Sequence, residues 1–401
     1  MSVRYILVMF IRRDILSSLE PELQKKEIIV ITGMRRVGKT SILTYLFNQI
    51  GSKNKYFFDF ENPLHRHIFE EESYDNIWNN LSQYGINSKE KSYIFIDEIQ
   101  NLPHISSVVK YFYDHFDTKF VLTGSSSYYL KNLFPESLSG RKIVFEVYPL
   151  TFREFLRFKG IERITPNTLL KKAEIKNKIN YEQYRKYYQE YIEFGGFPSV
   201  VLENDYKRKR VLLEEIFISY FEKDAKGLSD FKDMSKLRDL ILLLIPRIGQ
   251  KFDISNLASS LSLSRETIYN YLYFLEHTYF ITLLSKFSMN IDRSIGSGKK
   301  LFLCDSGIAN ILGKISLGQL FEQSVFQNIR TSHKLAFYSK EGKSEIDFIL
   351  DNEEALEVKV STSLQDIEYL KRKATLLNIN NSFIVSLEFY NNKKVILATD
   401  L

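Results

Sequence analysis

Gly33-Met34-Arg35-Arg36-Val37-Gly38-Lys39-Thr40 fits the pattern G-x-x-x-x-G-K-[ST] and decides how the first third of the chain reads. Directly before it stands the apolar, β-branched run 27–32, and directly after it the helical pattern 41–50. Strand, loop and helix in that order are the context in which such a loop cradles phosphates. The glycines let the backbone turn with its N–H groups inward, those of Met34, Arg35, Arg36 and Val37 among them, and the following helix adds positive partial charge from its first turn, Ser41 included. Lys39 supplies a point charge for the β- and γ-phosphates, and Thr40 a hydroxyl for Mg²⁺. The cofactors implied are ATP and Mg²⁺.

Working outward, four more runs at 55–60, 92–97, 119–123 and 142–147 each carry four or more nearly consecutive apolar residues. Runs of this kind suit strands buried on both faces, and their alternation with helical patterns predicts an α/β core with a parallel sheet. The run Tyr93-Ile94-Phe95-Ile96 ends in Asp97-Glu98. Asp97 is placed to hold the magnesium shell and Glu98 to polarise the attacking water, a pairing that favours ATP hydrolysis over a GTPase-like switch. The next strand ends in Thr123-Gly124-Ser125-Ser126; if it lies between the other two, Thr123 and Ser125 reach the γ-phosphate as sensors. Arg141, in Ser139-Gly140-Arg141, either stabilises charge on the transferring phosphoryl group, in cis or in trans, or forms a surface ion pair.

From 149 to about 240 the pattern turns helical, interrupted at Gly195-Gly196-Phe197-Pro198. Lys207-Arg208-Lys209-Arg210 reads as a solvated helix face or as a nucleic-acid patch. Residues 237–280 read as three helices, the last two joined by Ser262-Leu263-Ser264, with Ser264 a natural N-cap. The outward positions of the third helix are Arg265, Glu266, Tyr269, Asn270 and Tyr273, a set that suits either a major groove or packing inside a multidomain ATPase. Strands return at 335–339, 345–350, 355–360 and 382–387 around helices at 318–333 and 363–377. Here Asp347 and Glu357 on neighbouring strands, with Lys359 two residues on and Glu322 on the preceding helix, match a recipe for metal-assisted phosphodiester hydrolysis: Glu322, Asp347 and Glu357 on the metal, Lys359 beside the attacked phosphate. An exposed Glu-Lys pair on an edge strand has the same pattern.

The bulk composition narrows the class. The chain has 401 residues, 44% hydrophobic and 26% charged, which excludes a disordered protein and predicts more than one domain. A net charge of +6 spread over 55 basic and 49 acidic residues permits an anionic partner without a dedicated tail. The single cysteine, Cys304, excludes an internal disulfide framework and a cysteine-based zinc site, as suits a reducing, cytoplasmic setting. The apolar run 5–11 is too short to span a bilayer, so no membrane partner is expected. Met1 and Met9 are alternative starts.

Taken together, these segments resemble prokaryotic, especially archaeal, AAA+-related ATPases in which a P-loop core precedes winged-helix and PD-(D/E)XK nuclease-like parts. The resemblance is carried by Gly33 to Thr40, Ile94 to Glu98, Leu122 to Ser126, Gly140-Arg141, Tyr148 to Phe155, Gly195 to Pro198, Lys300 to Gly307, Phe321-Glu322, Glu345 to Phe348 and Glu357 to Lys359. It implies an additional-strand P-loop core at 1–150, a helical lid at 151–236, a winged helix-turn-helix at 237–300 and a nuclease-like α/β domain at 301–401. It also implies ATP with magnesium, and Glu322, Asp347, Glu357 and Lys359 on the family's acidic positions. The expected function is Mg-dependent ATP hydrolysis coupled to binding or processing of nucleic acid, DNA first. The alternative is a nucleotide-dependent switch acting on a protein partner or a second copy of the chain, with an inactive nuclease-like domain.

Overall fold

The computed structural model describes residues 10–125, 140–225, 234–288, 298–340 and 344–401. Ser126 and Ser139 lie outside them. The chain divides into two compact units, one formed by Met1–Tyr148 with His277–Tyr279, the other by Pro149–Glu276 with Phe280–Leu401. Residues 149–276 and 280–401 thus fall in one unit, and 277–279 join the first.

In the first unit, β1 (Ile28–Thr32), β2 (Lys55–Asp59), β3 (Ser92–Asp97), β4 (Thr118–Gly124) and β5 (Lys142–Glu146) form one sheet in the order β2-β3-β4-β1-β5. Every neighbouring pair is parallel. The strands β1, β3 and β4 are buried along their whole length, which explains why they read as continuous apolar runs and not as alternating ones. Period-2 geometry sends Ile28 and Val30 to one face, where they join Phe58, Ile94, Ile96, Phe120 and Leu122 in a core closed by α2 (Tyr74–Gln83) and α3 (Ile105–His115). At roughly 1.5–3 kcal/mol for each large apolar side chain removed from water, this face is a main source of the unit's stability.

Inserting β4 between β1 and β3 has one consequence for function. Pairing Thr32 with Gly124 and Ile96 with Leu122 brings the carboxyl ends of three strands level, so the loops leaving them share one rim.

In the second unit, α4 (Phe152–Phe158), α5 (Lys178–Phe194), α6 (Tyr206–Ser219), α7 (Met234–Leu244), α8 (Ile254–Leu261) and α9 (Arg265–His277) precede an antiparallel ribbon of β6 (Ile281–Leu284) and β7 (Lys300–Leu303). Then follow α10 (Ser306–Leu312), α11 (Leu317–Ile329), β8 (Leu335–Lys340), β9 (Ser344–Leu350), β10 (Glu354–Lys359), α12 (Leu364–Leu376), β11 (Asn381–Ser386) and β12 (Val395–Leu397). The last five strands form a mixed sheet in the order β12-β11-β10-β9-β8, antiparallel from β8 to β10 and parallel from β10 to β12.

The segments carrying Gly195-Gly196 and Asp305-Ser306-Gly307 meet inside this unit. Asp305 is fully buried and accepts from the N–H groups of Gly196 at 2.7 Å, Gly307 at 2.8 Å and Ile308 at 3.3 Å, and from Gln327 Nε2 at 3.0 Å. One carboxylate thus caps α10 and pins the turn after α5 to α11. Burial still pushes its pKa up to about 6.

The run Lys207 to Arg210 sits on α6. Arg208 lies 3.9 Å from Glu215, Lys209 3.1 Å from Glu190 and Arg210 3.4 Å from Glu193. Three of its four cations are therefore paired within the unit, and Lys209 is buried. No described helix is long and apolar enough to cross a membrane.

Candidate functional site

The loop from Gly33 to Gly38 folds where β1 ends. Gly33 (φ +145°), Arg36 (φ +64°) and Gly38 (φ +100°) take positive φ, which turns successive amides toward one concavity. Gly33 also approaches β5 so closely that a Cβ there would sit 2.1 Å from Val147 O. The helix α1 (Lys39–Gln49) starts from Gly38 without a side-chain cap, whereas Thr151, Asn177, Asp205, Asp253, Asp305, Ser316 and Ser363 each cap the helix they precede. Its first N–H groups and the helix dipole thus face the loop's concavity. Lys39 is buried and curls over the loop, its Nζ donating to Gly33 O at 2.9 Å and Met34 O at 3.0 Å.

From the neighbouring strand ends come the acids. Thr40 Oγ1 donates to Asp97 Oδ2 at 2.7 Å, and Thr123 Oγ1 donates to Asp97 Oδ1 while accepting the Glu98 N–H at 3.1 Å. Burial raises the pKa of Asp97 above the usual carboxylate range, against the two hydroxyl bonds and Lys39, which lower it. Glu98 has positive φ (+56°), so the chain turns sharply after Asp97. Its carboxylate lies 3.8 Å from Arg35 and accepts from Gln100 Nε2. Gln100 also reaches β4: Nε2 donates to Ser125 Oγ at 3.1 Å, and Oε1 accepts the Ser125 N–H at 3.3 Å. Gln100 had no place in the sequence reading. Only its position two residues beyond Glu98, on a short turn, could have suggested it.

A hydroxyl and a buried carboxylate in contact, beside an amide-lined concavity and a lysine, suit the triphosphate and magnesium that the sequence motif requires. Arg141 stands elsewhere. Its backbone O accepts the N–H of Ile28 at 2.8 Å, at the amino end of β1, about 16 Å of strand away from the loop. Its side chain forms a two-pronged pair with Asp114, at 3.0 and 3.4 Å. Arg141 thus stands at the opposite end of the sheet from the loop, because β5 runs parallel to β1 and ends, not begins, at the rim.

The C-terminal acids are also differently placed from the expectation. Glu322 and Asp347 converge on the ammonium of Lys300, at 2.7 and 3.2 Å. Glu357 pairs instead with Lys359 at 3.2 Å and Lys373 at 3.7 Å. Among the described residues no group of three or more His, Cys, Asp and Glu side chains is arranged to hold a metal ion. The three acids expected on one metal are thus divided in this structure between Lys300 on one side and Lys359 with Lys373 on the other. The sequence reading names Lys300 only as the first residue of the segment Lys300 to Gly307, with no role in this site.

The first unit is thus a P-loop nucleotide-hydrolase core of the additional-strand class, with its acid pair and hydroxyl groups on one rim. Comparison with known proteins narrows this class. Residues 25–156 match the AAA domain family, and residues 185–319 a domain family of unknown function. An uncharacterised protein of Methanocaldococcus jannaschii is 31% identical over 361 residues, covering 87% of this chain and 77% of that protein. A Haemophilus influenzae protein, also uncharacterised, is 27% identical over 383 residues, covering 91% and 90%. The solved Walker-type ATPase PABY2304 of Pyrococcus abyssi shares the fold at a TM-score of 0.50 and 15% identity, covering 76% of this chain and 96% of that one. The chain belongs to the family of the methanococcal protein, AAA+-like P-loop ATPases of archaea and bacteria.

Proposed function

We propose that this chain hydrolyses ATP with magnesium at the rim of the first sheet and uses the nucleotide state to control nucleic-acid binding, DNA first, by its second unit. The observation that carries the hydrolytic half is the bonding of one Asp97 carboxylate by Thr40 and Thr123, with Glu98 held by the same Thr123 through its amide. Thr40 and Asp97 would hold Mg²⁺, and Lys39 with the loop amides the phosphates. The ion would supply charge neutralisation between β- and γ-phosphates. Glu98, positioned by Gln100 and Arg35, orients the water. Ser125 and Thr123, bonded to Gln100 and to Asp97, are the groups through which the strand end senses the γ-phosphate.

The nucleic-acid half rests on α8 and α9. Thr267 N–H donates to Ser264 Oγ at 3.0 Å, so Ser264 caps the second helix. Arg265, Glu266, Tyr269, Asn270 and Tyr273 stay exposed on it, and the β6-β7 ribbon follows as a wing would. We read this as a winged helix-turn-helix, and the mixed sheet after it as a nuclease-like fold.

A second reading, a switch that acts on a protein partner or on a second copy of the chain, is favoured by two observations. The basic run on α6 is largely spent on internal pairs, and α9 presents a single arginine. Steady-state ATPase assays with and without duplex and single-stranded DNA, beside Lys39→Ala, separate the readings. Stimulation by DNA supports the first. Turnover indifferent to DNA, with ATP changing the state of assembly, supports the second.

A further inference from the structure

Lys300 opens β7, yet its side chain turns into the second unit. The ammonium is surrounded by Glu322 Oε1 at 2.7 Å, Asp347 Oδ1 at 3.2 Å and Glu345 Oε1 at 3.4 Å, and the side chain is 1% exposed. The rings of Phe302 and Phe348 flank it at 6.0 and 5.9 Å. Three carboxylate oxygens thus face one buried cation.

The carboxylates are only partly engaged beyond their ion pairs: Glu322 Oε1 and Glu357 Oε2 are buried with no hydrogen-bond partner. The other oxygen of Asp347 accepts the Val358 N–H at 2.8 Å. Glu357 is held by Lys359 and Lys373. Four acids therefore face three ammonium groups.

Access is restricted as well. Gln319 Nε2 donates to Pro246 O and Ile248 O, both at 3.1 Å, which draws the loop between α7 and α8 onto α11. Gly249 of that loop (φ +72°) lies so near that a Cβ would sit 2.8 Å from Glu322 Oε2, and Lys251 bridges backbone to backbone with Lys300. A phosphodiester brought to Glu322 would have to displace this loop.

We propose that Lys300 is the resident cation of this pocket: its ammonium takes the place of a divalent ion, and Glu322, Asp347 and Glu345 bind the ribbon strand to the mixed sheet instead of binding a metal. The second unit then cleaves no phosphodiester by a metal-assisted route, whatever it binds. The inference does not depend on ATP turnover at the P-loop.

The test is a Mn²⁺ titration of the nucleotide-free full chain carrying Asp97→Asn, which removes the carboxylate of the P-loop site, with free Mn²⁺ read by electron paramagnetic resonance. With Lys300 present, binding no tighter than millimolar is expected. Adding Lys300→Met should tighten it at least tenfold, and a further Asp347→Asn should abolish the gain. Micromolar binding with Lys300 intact that disappears in Asp347→Asn would overturn the proposal, as would a folded Lys300→Met protein with no gain. If Lys300→Met does not fold, Lys300→Arg, which keeps the charge, and the Lys300-intact titration decide: weak binding in both supports the proposal, micromolar binding in either overturns it.

Discussion

Thr123→Val should separate nucleotide binding from hydrolysis. Valine fills nearly the same volume at the buried end of β4 and deletes only the hydroxyl, which donates to Asp97 and accepts from the Glu98 amide at 3.1 Å. A hydrogen bond to a charged group contributes roughly 1.5–3 kcal/mol and a neutral one about 1 kcal/mol. The loop amides and Lys39 are untouched, so ground-state affinity for ATP should stay within about threefold. If the bond to Asp97 matters fully in the transition state, kcat falls roughly 10- to 150-fold at 1.36 kcal/mol per decade. Thr123→Ser, which keeps the hydroxyl, should recover most of the rate. Steady-state turnover together with equilibrium binding of a fluorescent ATP analogue measures both quantities. A kcat within twofold of the parent, or a loss confined to nucleotide affinity, would refute the assignment.

Lys39→Ala should reduce ATP turnover by at least about a hundredfold, because its ammonium is the charge that curls over the loop toward the phosphates; phosphate release reads it directly. Gln100→Leu should lower kcat by about tenfold with ATP affinity nearly unchanged, since Gln100 ties Glu98 to Ser125; an unchanged kcat would remove it from the site. Asp305 predicts a pH dependence of folding. Its folded pKa, about 6, lies above the ordinary 3.8, so its contribution is fully present below pH 4 and is lost as pH rises through 6, by on the order of 3 kcal/mol. Urea unfolding at pH 5 and 7.5 should show about 1.4 kcal/mol of that loss in the parent, most of the rest falling between pH 4 and 5. Asp305→Asn should be less stable at both values, having lost two acceptor contacts, and should show a smaller pH difference.

The parallel core was legible because its signals are local. Each of β1, β3 and β4 is buried on both faces and so reads as an unbroken apolar run, and the loop between β1 and α1 needs glycine at two of its positions. The order of the strands was not legible in this way. It determines that Thr123 reaches Asp97 and that Arg141, immediately before β5 in sequence, lies at the far end of β1. A parallel strand's entry and exit are separated by its full length, and the one-dimensional spacing of Gly140-Arg141 does not record which end faces the loop. The ribbon strand β7 was missed as an element for a related reason. Four residues with a lysine at their head carry too short a pattern to separate from the neighbouring loop.

Lys300 shows the limit most clearly. Spacing placed Glu322, Asp347 and Glu357 as a plausible set, because carboxylates on one helix and two adjacent strands can converge. What spacing cannot supply is the identity of the cation between Glu322 and Asp347, which comes from a strand outside the pattern and takes Glu345, not Glu357, as its third neighbour. Burial alone would lower the pKa of Lys300, yet Asp347, Glu322 and Glu345 outweigh burial and raise it, so the ammonium stays charged across the physiological range. A buried ammonium with three acidic neighbours and a buried magnesium with the same neighbours make similar demands on the surrounding chain. The acids are therefore what both arrangements have in common, and the lysine is what distinguishes them.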